Sequence, residues 1–90
     1  MTECRRALVS GKVQRVFFRQ ATQRKANQLG ITGWVKNLPT GQVAVLACGE
    51  PEDLETFIDW LWGGPPSARV EDVEVSEEQT PQNFTRFEIK

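Results

Sequence analysis

The order of strand-like and helical segments constrains the fold of this chain more than any other feature of its 90 residues. Runs rich in β-branched or alternating apolar residues indicate strands, and two longer segments with apolar residues at helical spacing indicate helices. The strands are predicted at Arg6–Val13, Ile31–Leu38, Gln42–Cys48, Arg69–Glu77 and Thr85–Lys90, and the helices at Phe18–Leu29 and from Gly49–Asp53 to Gly63. This β-α-β-β-α-β order with a short last strand predicts an α+β, ferredoxin-like sandwich. One antiparallel sheet would carry both helices on one face.

The apolar pattern of the helices predicts which side chains are buried. In the second helix the residues at positions i, i+3, i+4 and i+7 form one stripe, Leu54, Phe57, Ile58 and Leu61. In the first helix the apolar positions are Phe18, Ala21, Ala26 and Leu29. Trp34 is expected in the core. Trp60 and Trp62 lie off the second stripe, so at least one of them should be partly exposed.

Composition predicts a single domain over residues 1–90, because 39% hydrophobic and 26% charged residues are ordinary for a small globular domain. No apolar run approaches the roughly 18 residues of a membrane span. The first residues do not resemble a signal peptide, so a cytoplasmic location is expected. Two cysteines, Cys4 and Cys48, are too few for a zinc site without other ligands. The predicted sheet puts them at the same end of neighbouring strands, so reduced thiols and a disulfide both remain open.

Two features of composition bear on function. The chain has no histidine and no tyrosine, which excludes Ser-His-Asp and Cys-His catalysis and His-ligated zinc. Residues 1–40 hold eight Lys/Arg against one acidic residue, whereas residues 41–90 hold three against eleven. This asymmetry suggests an anionic partner for the first half. The segment Gly11–Arg19 joins a strand to a helix, and its free N–H groups could bind that anion together with the Arg19 guanidinium. The alternative is that Arg19 is a surface residue that only keeps the helix end hydrated.

Two motifs resemble those of the acylphosphatase family. Gly11-Lys-Val-Gln-Arg-Val-Phe-Phe-Arg19 resembles the signature G-x-V-Q-G-V-x-F-R with one departure. Gly33-Trp-Val-Lys-Asn37, followed by Gly41-Gln-Val43 and Gly49, resembles the second signature in order and spacing, and Phe87-Glu-Ile89 resembles the closing strand. The resemblance spans essentially the whole chain. It implies the fold predicted above and hydrolysis of the carboxyl–phosphate bond of acyl phosphates, without a metal or cofactor.

The resemblance also implies roles for particular residues. Arg19 would bind the phosphoryl group and Asn37 would orient the attacking water. Main-chain N–H groups would form a phosphate-binding loop from Gln14, Arg15, Val16, Phe17, Phe18 and Arg19. Asparagine cannot deprotonate water at neutral pH, so the proton is expected to pass to a phosphate oxygen of the substrate. For Asn37 the alternative is a residue that only starts the turn after its strand.

Arg15 is the departure, because the family motif has glycine there. Glycine at such a site usually means a positive φ or a close approach of backbone to ligand. Arg15 could distort or cover the loop and impair activity, or it could point outward and add positive charge at the mouth. The first interpretation predicts that Arg15→Gly raises kcat/KM and stabilises the fold.

Other function classes remain as alternatives. The chain could be a non-catalytic ferredoxin-like module that binds an anion, or a folded relic made weak or inactive by Arg15. Nucleic acid is not expected as a partner, because no aromatic RNA-binding motif is present and the second half is acidic. The expected partner is a small acyl phosphate or inorganic phosphate, with no membrane and a monomeric chain.

Overall fold

Seven elements make up the computed structural model of this chain, which describes residues 2–78 and 84–90. They are β1 (Glu3–Lys12), α1 (Phe18–Leu29), β2 (Thr32–Asn37), β3 (Val43–Gly49), α2 (Pro51–Gly63), β4 (Arg69–Glu77) and β5 (Phe87–Ile89). Each predicted element is present. The largest difference is in β1, which begins at Glu3, three residues earlier than predicted. Within the described ranges, neither helix is long and apolar enough to cross a membrane.

The strands form one sheet in the order β4-β1-β3-β2-β5. β1 pairs antiparallel with β3 and β4, and β2 pairs antiparallel with β3. These pairings confirm the ferredoxin-like prediction. The short β5 differs because it pairs parallel with β2, which makes the sheet mixed. β2 and β5 both run opposite to β4. β5, at the edge of the sheet, therefore runs in the same direction as its neighbour β2.

Both helices cover one face of the sheet, and the main core lies between them and that face. Leu54, Phe57 and Leu61 of α2 are fully buried, while Ile58 of the predicted stripe is only partly buried. In α1 the buried residues are Phe18, Thr22 and Ala26. Thr22 therefore takes the core position predicted for Ala21. Its hydroxyl is satisfied because Oγ1 donates to the Phe18 carbonyl at 2.7 Å, which makes the burial of a polar residue acceptable.

The opposite face of the sheet carries no helix, and Trp34 lies there rather than in the core. Alternation along β2 turns Gly33 and Val35 toward the helices, so Trp34 points the other way and is only partly buried. The Lys36 ammonium lies 5.0 Å from its ring centroid. Trp34 is therefore not part of the main core, but it packs against a second, smaller cluster of buried residues on this face, Cys4, Leu46 and Cys48.

The two other tryptophans differ in exposure, as predicted. Trp62 is 48% exposed, whereas Trp60 is partly buried and lies 6.0 Å from Phe18 between ring centroids. Cys4 and Cys48 lie directly opposite each other in the β1–β3 register and form a disulfide. The structure thus selects the disulfide from the two alternatives for the cysteines.

Two glycines of the sequence motifs are required by close packing. A Cβ on Gly33 would lie 1.9 Å from the Leu46 carbonyl oxygen, and one on Gly11 would lie 2.2 Å from the Arg69 carbonyl oxygen. Both glycines also have a positive φ, 139° and 119° respectively. Gly11 lies where the β1–β4 register shifts, which directs the chain into the loop before α1.

Candidate active site

The segment between β1 and α1, called here the 13–17 loop, alternates between buried and exposed side chains. Val13 and Val16 are buried in the main core, whereas Arg15 and Phe17 are exposed. The exposed pair has left-handed backbone, with φ of 63° at Arg15 and 61° at Phe17. The buried valines anchor the loop, and the left-handed residues between and after them let it turn sharply into the helix.

Left-handed residues at alternate positions direct successive N–H groups toward one concave side, the arrangement that binds anions in many proteins. Within the described part of the chain, no main-chain N–H of residues 14–19 donates to another protein atom. The helix N-terminus adds to this effect, because α1 has no side-chain cap and no acidic residue in its first turn. The loop and the helix N-terminus therefore both carry free main-chain donors and positive potential.

Hydrogen bonds hold the 13–17 loop to two neighbouring segments. Gln14 Nε2 donates to the Leu38 carbonyl at 2.8 Å and to the Gln42 carbonyl at 2.9 Å, which ties the loop to the β2–β3 hairpin. Ser67 Oγ donates to the Val16 carbonyl at 2.6 Å, which ties it to the segment after α2. These bonds use side-chain donors and main-chain acceptors, so they leave the loop N–H groups free.

Arg19, in the first turn of α1, is oriented by the last described residue. Its Nη1 donates to the main-chain oxygen of Lys90 at 3.0 Å, and the Lys90 N–H donates to the Val35 carbonyl at 2.8 Å. Gln23 Nε2 also donates to the Phe87 carbonyl at 3.0 Å. Lys90, the residue after β5, thus connects Arg19 on α1 to β2, the strand that carries Asn37.

Asn37 ends β2 beside the 13–17 loop. Its Oδ1 is the one buried side-chain oxygen or nitrogen without a hydrogen-bond partner in the described ranges. A buried acceptor without a donor is costly, and such an atom in a native structure requires an explanation. A donor from a bound water or ligand would remove this cost, whereas a role only in the turn would leave it in place.

A cavity of about 150 Å³ brings the candidate groups together. It is lined by Val13, Arg15, Phe17, Phe18, Arg19, Gln20 and Asn37. None of these residues is acidic and two are arginines, so the cavity favours an anion. Of the predicted site residues, only Gln14 and Val16 do not line it. Gln14 uses its side chain to hold the hairpin and Val16 packs into the core, so only their main-chain N–H groups remain available for an anion.

Sequence reasoning missed three supports of this site. For Gln14 the sequence predicts a role of the main-chain N–H, whereas the structure shows that its side-chain amide also supports the site. Neither Ser67 nor the main-chain oxygen of Lys90 is among the predicted site groups. Gln14 carried a signal, because it lies inside a recognised motif. The other two had none, since a serine in a loop and a main-chain oxygen at the end of a strand are features of every chain.

A larger cavity of about 390 Å³ lies on the open face of the sheet, and its lining includes Arg6, Leu8, Trp34 and Glu74. It contains neither Arg19 nor Asn37. Its charged side chains have opposite signs, so it does not favour an anion as the smaller cavity does.

Comparisons with known proteins identify the family and agree with the fold. The family model for acylphosphatase matches residues 5–89. An acylphosphatase of Coxiella burnetii is 46% identical over 87 residues, covering 97% of this chain and 90% of that protein. One from Nitrosococcus oceani is 44% identical over the full length of both. The crystal structure of acylphosphatase from Bacillus subtilis has a TM-score of 0.94 and 36% identity, covering 100% of this chain and 99% of that one.

The chain therefore belongs to the acylphosphatase family. The matches confirm three predictions made from the sequence, namely the family, the ferredoxin-like α+β fold and a hydrolase that acts on acyl phosphates. They give no support to the alternative of a non-catalytic module.

Proposed function

We propose that the cavity between the 13–17 loop, α1 and the end of β2 is the active site. It binds the phosphoryl group of an acyl phosphate, and the products are a carboxylate and inorganic phosphate. The observation that carries this proposal is the convergence of three features on one small cavity: free loop N–H groups, the Arg19 guanidinium and the unpartnered Oδ1 of Asn37.

Arg19 and the main-chain N–H groups of residues 14–19 bind the phosphoryl oxygens. The guanidinium keeps four of its five N–H donors after its bond to Lys90, so it can hold two phosphoryl oxygens at once. The N–H groups of the loop and the first turn of α1 are in place before substrate binds. Donors that need no rearrangement stabilise the charge that develops in the transition state.

Asn37 orients the attacking water. Its Oδ1 accepts a hydrogen bond from the water and leaves a water lone pair directed at phosphorus. The water oxygen forms the new bond to phosphorus while the bond from phosphorus to the acyl oxygen breaks, and the carboxylate leaves with the electron pair. The water proton passes to a phosphoryl oxygen, so the reaction needs no histidine. Catalysis by positioning and charge is typical of phosphoryl transfer.

The remaining features of the proposal are a small-molecule substrate, a monomeric chain, a cytoplasmic location and activity without a metal or cofactor. The groups proposed to act on the substrate all come from one chain, so the reaction requires no second subunit. The positive charge of Arg19 and the loop supplies what a metal ion would otherwise supply. A reducing cytoplasm would keep Cys4 and Cys48 as thiols, whereas the structure contains their disulfide. Trapping of thiols in intact cells distinguishes the two states.

The test is hydrolysis of benzoyl phosphate in the presence of a chelator. Arg19→Ala and Asn37→Ala should each lower kcat/KM by roughly 10²- to 10³-fold, the loss typical for one transition-state donor. Inorganic phosphate should inhibit the Asn37 variant nearly as well as wild type but inhibit the Arg19 variant far less. Arg24→Ala, which removes an exposed arginine of α1 outside the cavity, is the matched control and should stay active.

Three outcomes contradict parts of the proposal. Wild-type protein that binds phosphate without turnover would favour the anion-binding module or the inactive relic. Turnover that survives both substitutions would place the active site elsewhere. Turnover that the chelator abolishes and a divalent cation restores would contradict activity without a metal.

A further inference from the structure

Phe17 is the most exposed large hydrophobic residue in the described ranges, at 71%. Its exposure follows from the loop, because the buried Val16 and Phe18 on either side turn the intervening ring outward. The ring therefore adds nothing to the core. Phe17 also has a left-handed backbone, and strained backbone of this kind is concentrated at functional sites.

The backbone of Phe17 makes the choice of residue more unusual. Phe17 occupies the N-cap position of α1 with φ 61° and ψ 22°, and it makes no side-chain cap. Asparagine and aspartate tolerate this conformation better than phenylalanine does, and at an N-cap their side chains can also satisfy a helix N–H. Glycine would relieve the strain altogether. Phenylalanine at this position is a poor choice for the backbone, which points to a use for its ring.

The ring lies at the mouth of the phosphoryl-binding cavity, because Phe17 lines that cavity while remaining mostly exposed. The cavity of about 150 Å³ is small compared with whole small-molecule sites, which are roughly 300–1,000 Å³. It encloses a phosphoryl group and its attacking water. The acyl group of the substrate must then extend through the mouth, past the ring of Phe17.

We infer that the Phe17 ring contacts the acyl group and makes the enzyme favour acyl phosphates with an aromatic or extended apolar acyl group over acetyl phosphate. This inference rests on the proposed function, because it requires the phosphoryl group to bind in the cavity. Ring contacts of ordinary strength change an affinity by roughly two- to tenfold. The contact discriminates between substrates because acetyl phosphate is too short to cover the ring.

The experiment compares kcat/KM for benzoyl phosphate and acetyl phosphate in wild type, Phe17→Ala and Phe17→Leu. The ratio of the two values should fall roughly two- to tenfold in Phe17→Ala and by an intermediate amount in Phe17→Leu, which keeps apolar surface without a ring. Because Phe17 also contributes an N–H to the loop, both rates could change together, and the ratio cancels that common change. Trp62→Ala removes an exposed aromatic residue that does not line the cavity, and it should leave the ratio unchanged.

The outcomes separate this inference from the proposed function. If wild type hydrolyses both substrates but the ratio is the same in Phe17→Ala, the inference about Phe17 is overturned and the proposed function stands. An equal fall of the ratio in Trp62→Ala would also overturn it, since the effect would not belong to the mouth of the cavity. If wild type hydrolyses neither substrate, the proposed function itself fails.

Discussion

Arg15→Gly tests whether the left-handed backbone of the phosphate loop costs stability. Arg15 has a φ of 63° and an exposed side chain, so the substitution removes conformational strain without removing a core contact. A non-glycine residue in this region costs roughly 1–2 kcal/mol, and glycine removes that cost. Glycine also makes the unfolded chain more flexible, which offsets about 0.5–1 kcal/mol of the stabilisation. We expect the free energy of unfolding to rise by roughly 0.5–1 kcal/mol and Tm to rise by about 2–8 °C.

The structure changes the expected effect of Arg15→Gly on activity. The backbone at Arg15 already has the conformation that glycine would favour, which leaves no distortion for glycine to relieve. The substitution instead removes a cation from the mouth of the cavity. At about 8 Å in water, a guanidinium attracts a dianion by about 1 kcal/mol, so kcat/KM should fall up to about fivefold at low ionic strength and less at physiological salt.

The matched control is Arg15→Ala, which removes the charge but keeps the strain. Urea unfolding and benzoyl phosphate hydrolysis should show that only the glycine variant is more stable, while both variants lose the same salt-dependent activity. Equal stability of the two variants would refute the argument from strain. A rise of kcat/KM in Arg15→Gly alone would show instead that Arg15 distorts the loop, as the first interpretation of the sequence proposes.

Two further predictions concern the contacts that hold the site and the sheet. Gln14→Ala removes both bonds to the hairpin carbonyls, so the free energy of unfolding in urea should fall by about 1–3 kcal/mol. The value of kcat should also fall, because the hairpin segment that begins next to Asn37 is no longer tied to the 13–17 loop. Gln28→Ala, at an exposed position of α1, is the control and should change neither quantity. Cys4 and Cys48 are 44 residues apart in sequence, so reduction of their disulfide should lower the free energy of unfolding by roughly 4 kcal/mol and move the urea midpoint to a lower concentration. Alkylation of two thiols in non-reduced protein would contradict the disulfide.

Elements with strong local signals could be predicted from the sequence. Gly30 ends α1 with a left-handed φ of 70°, and Pro51 begins α2, where its missing N–H has no cost. The misplaced side chains lack such a signal. Thr22 is polar, but its hydroxyl donates to the Phe18 carbonyl, which permits burial at a position that its residue type does not suggest. Trp34 lies on the face opposite the helices because it alternates along β2 with the buried Gly33 and Val35.

The candidate site was predictable where a residue lies in a recognised motif, and not where its role depends on contacts with distant segments. Arg19 and Asn37 could be chosen because they match the family motifs and their residue types suit an anion and a water, and the structure brings them to one cavity. The positive φ at Arg15 could be anticipated from glycine in the motif. The side-chain bonds of Gln14 could not, because their acceptors are carbonyls 24 and 28 residues away in sequence.

The bond from Arg19 to the main-chain oxygen of Lys90 has a consequence for how this site can vary through evolution. Every amino acid supplies that oxygen, so nineteen residue types preserve the acceptor and also the N–H that donates to Val35. Only proline would lose the N–H. Substitution at position 90 therefore preserves the main-chain oxygen that orients Arg19, and it changes only side-chain contacts such as that of the Lys90 ammonium, which lies 5.8 Å from the Trp34 ring centroid. Variation in residue identity and importance to the site are separate properties at this position.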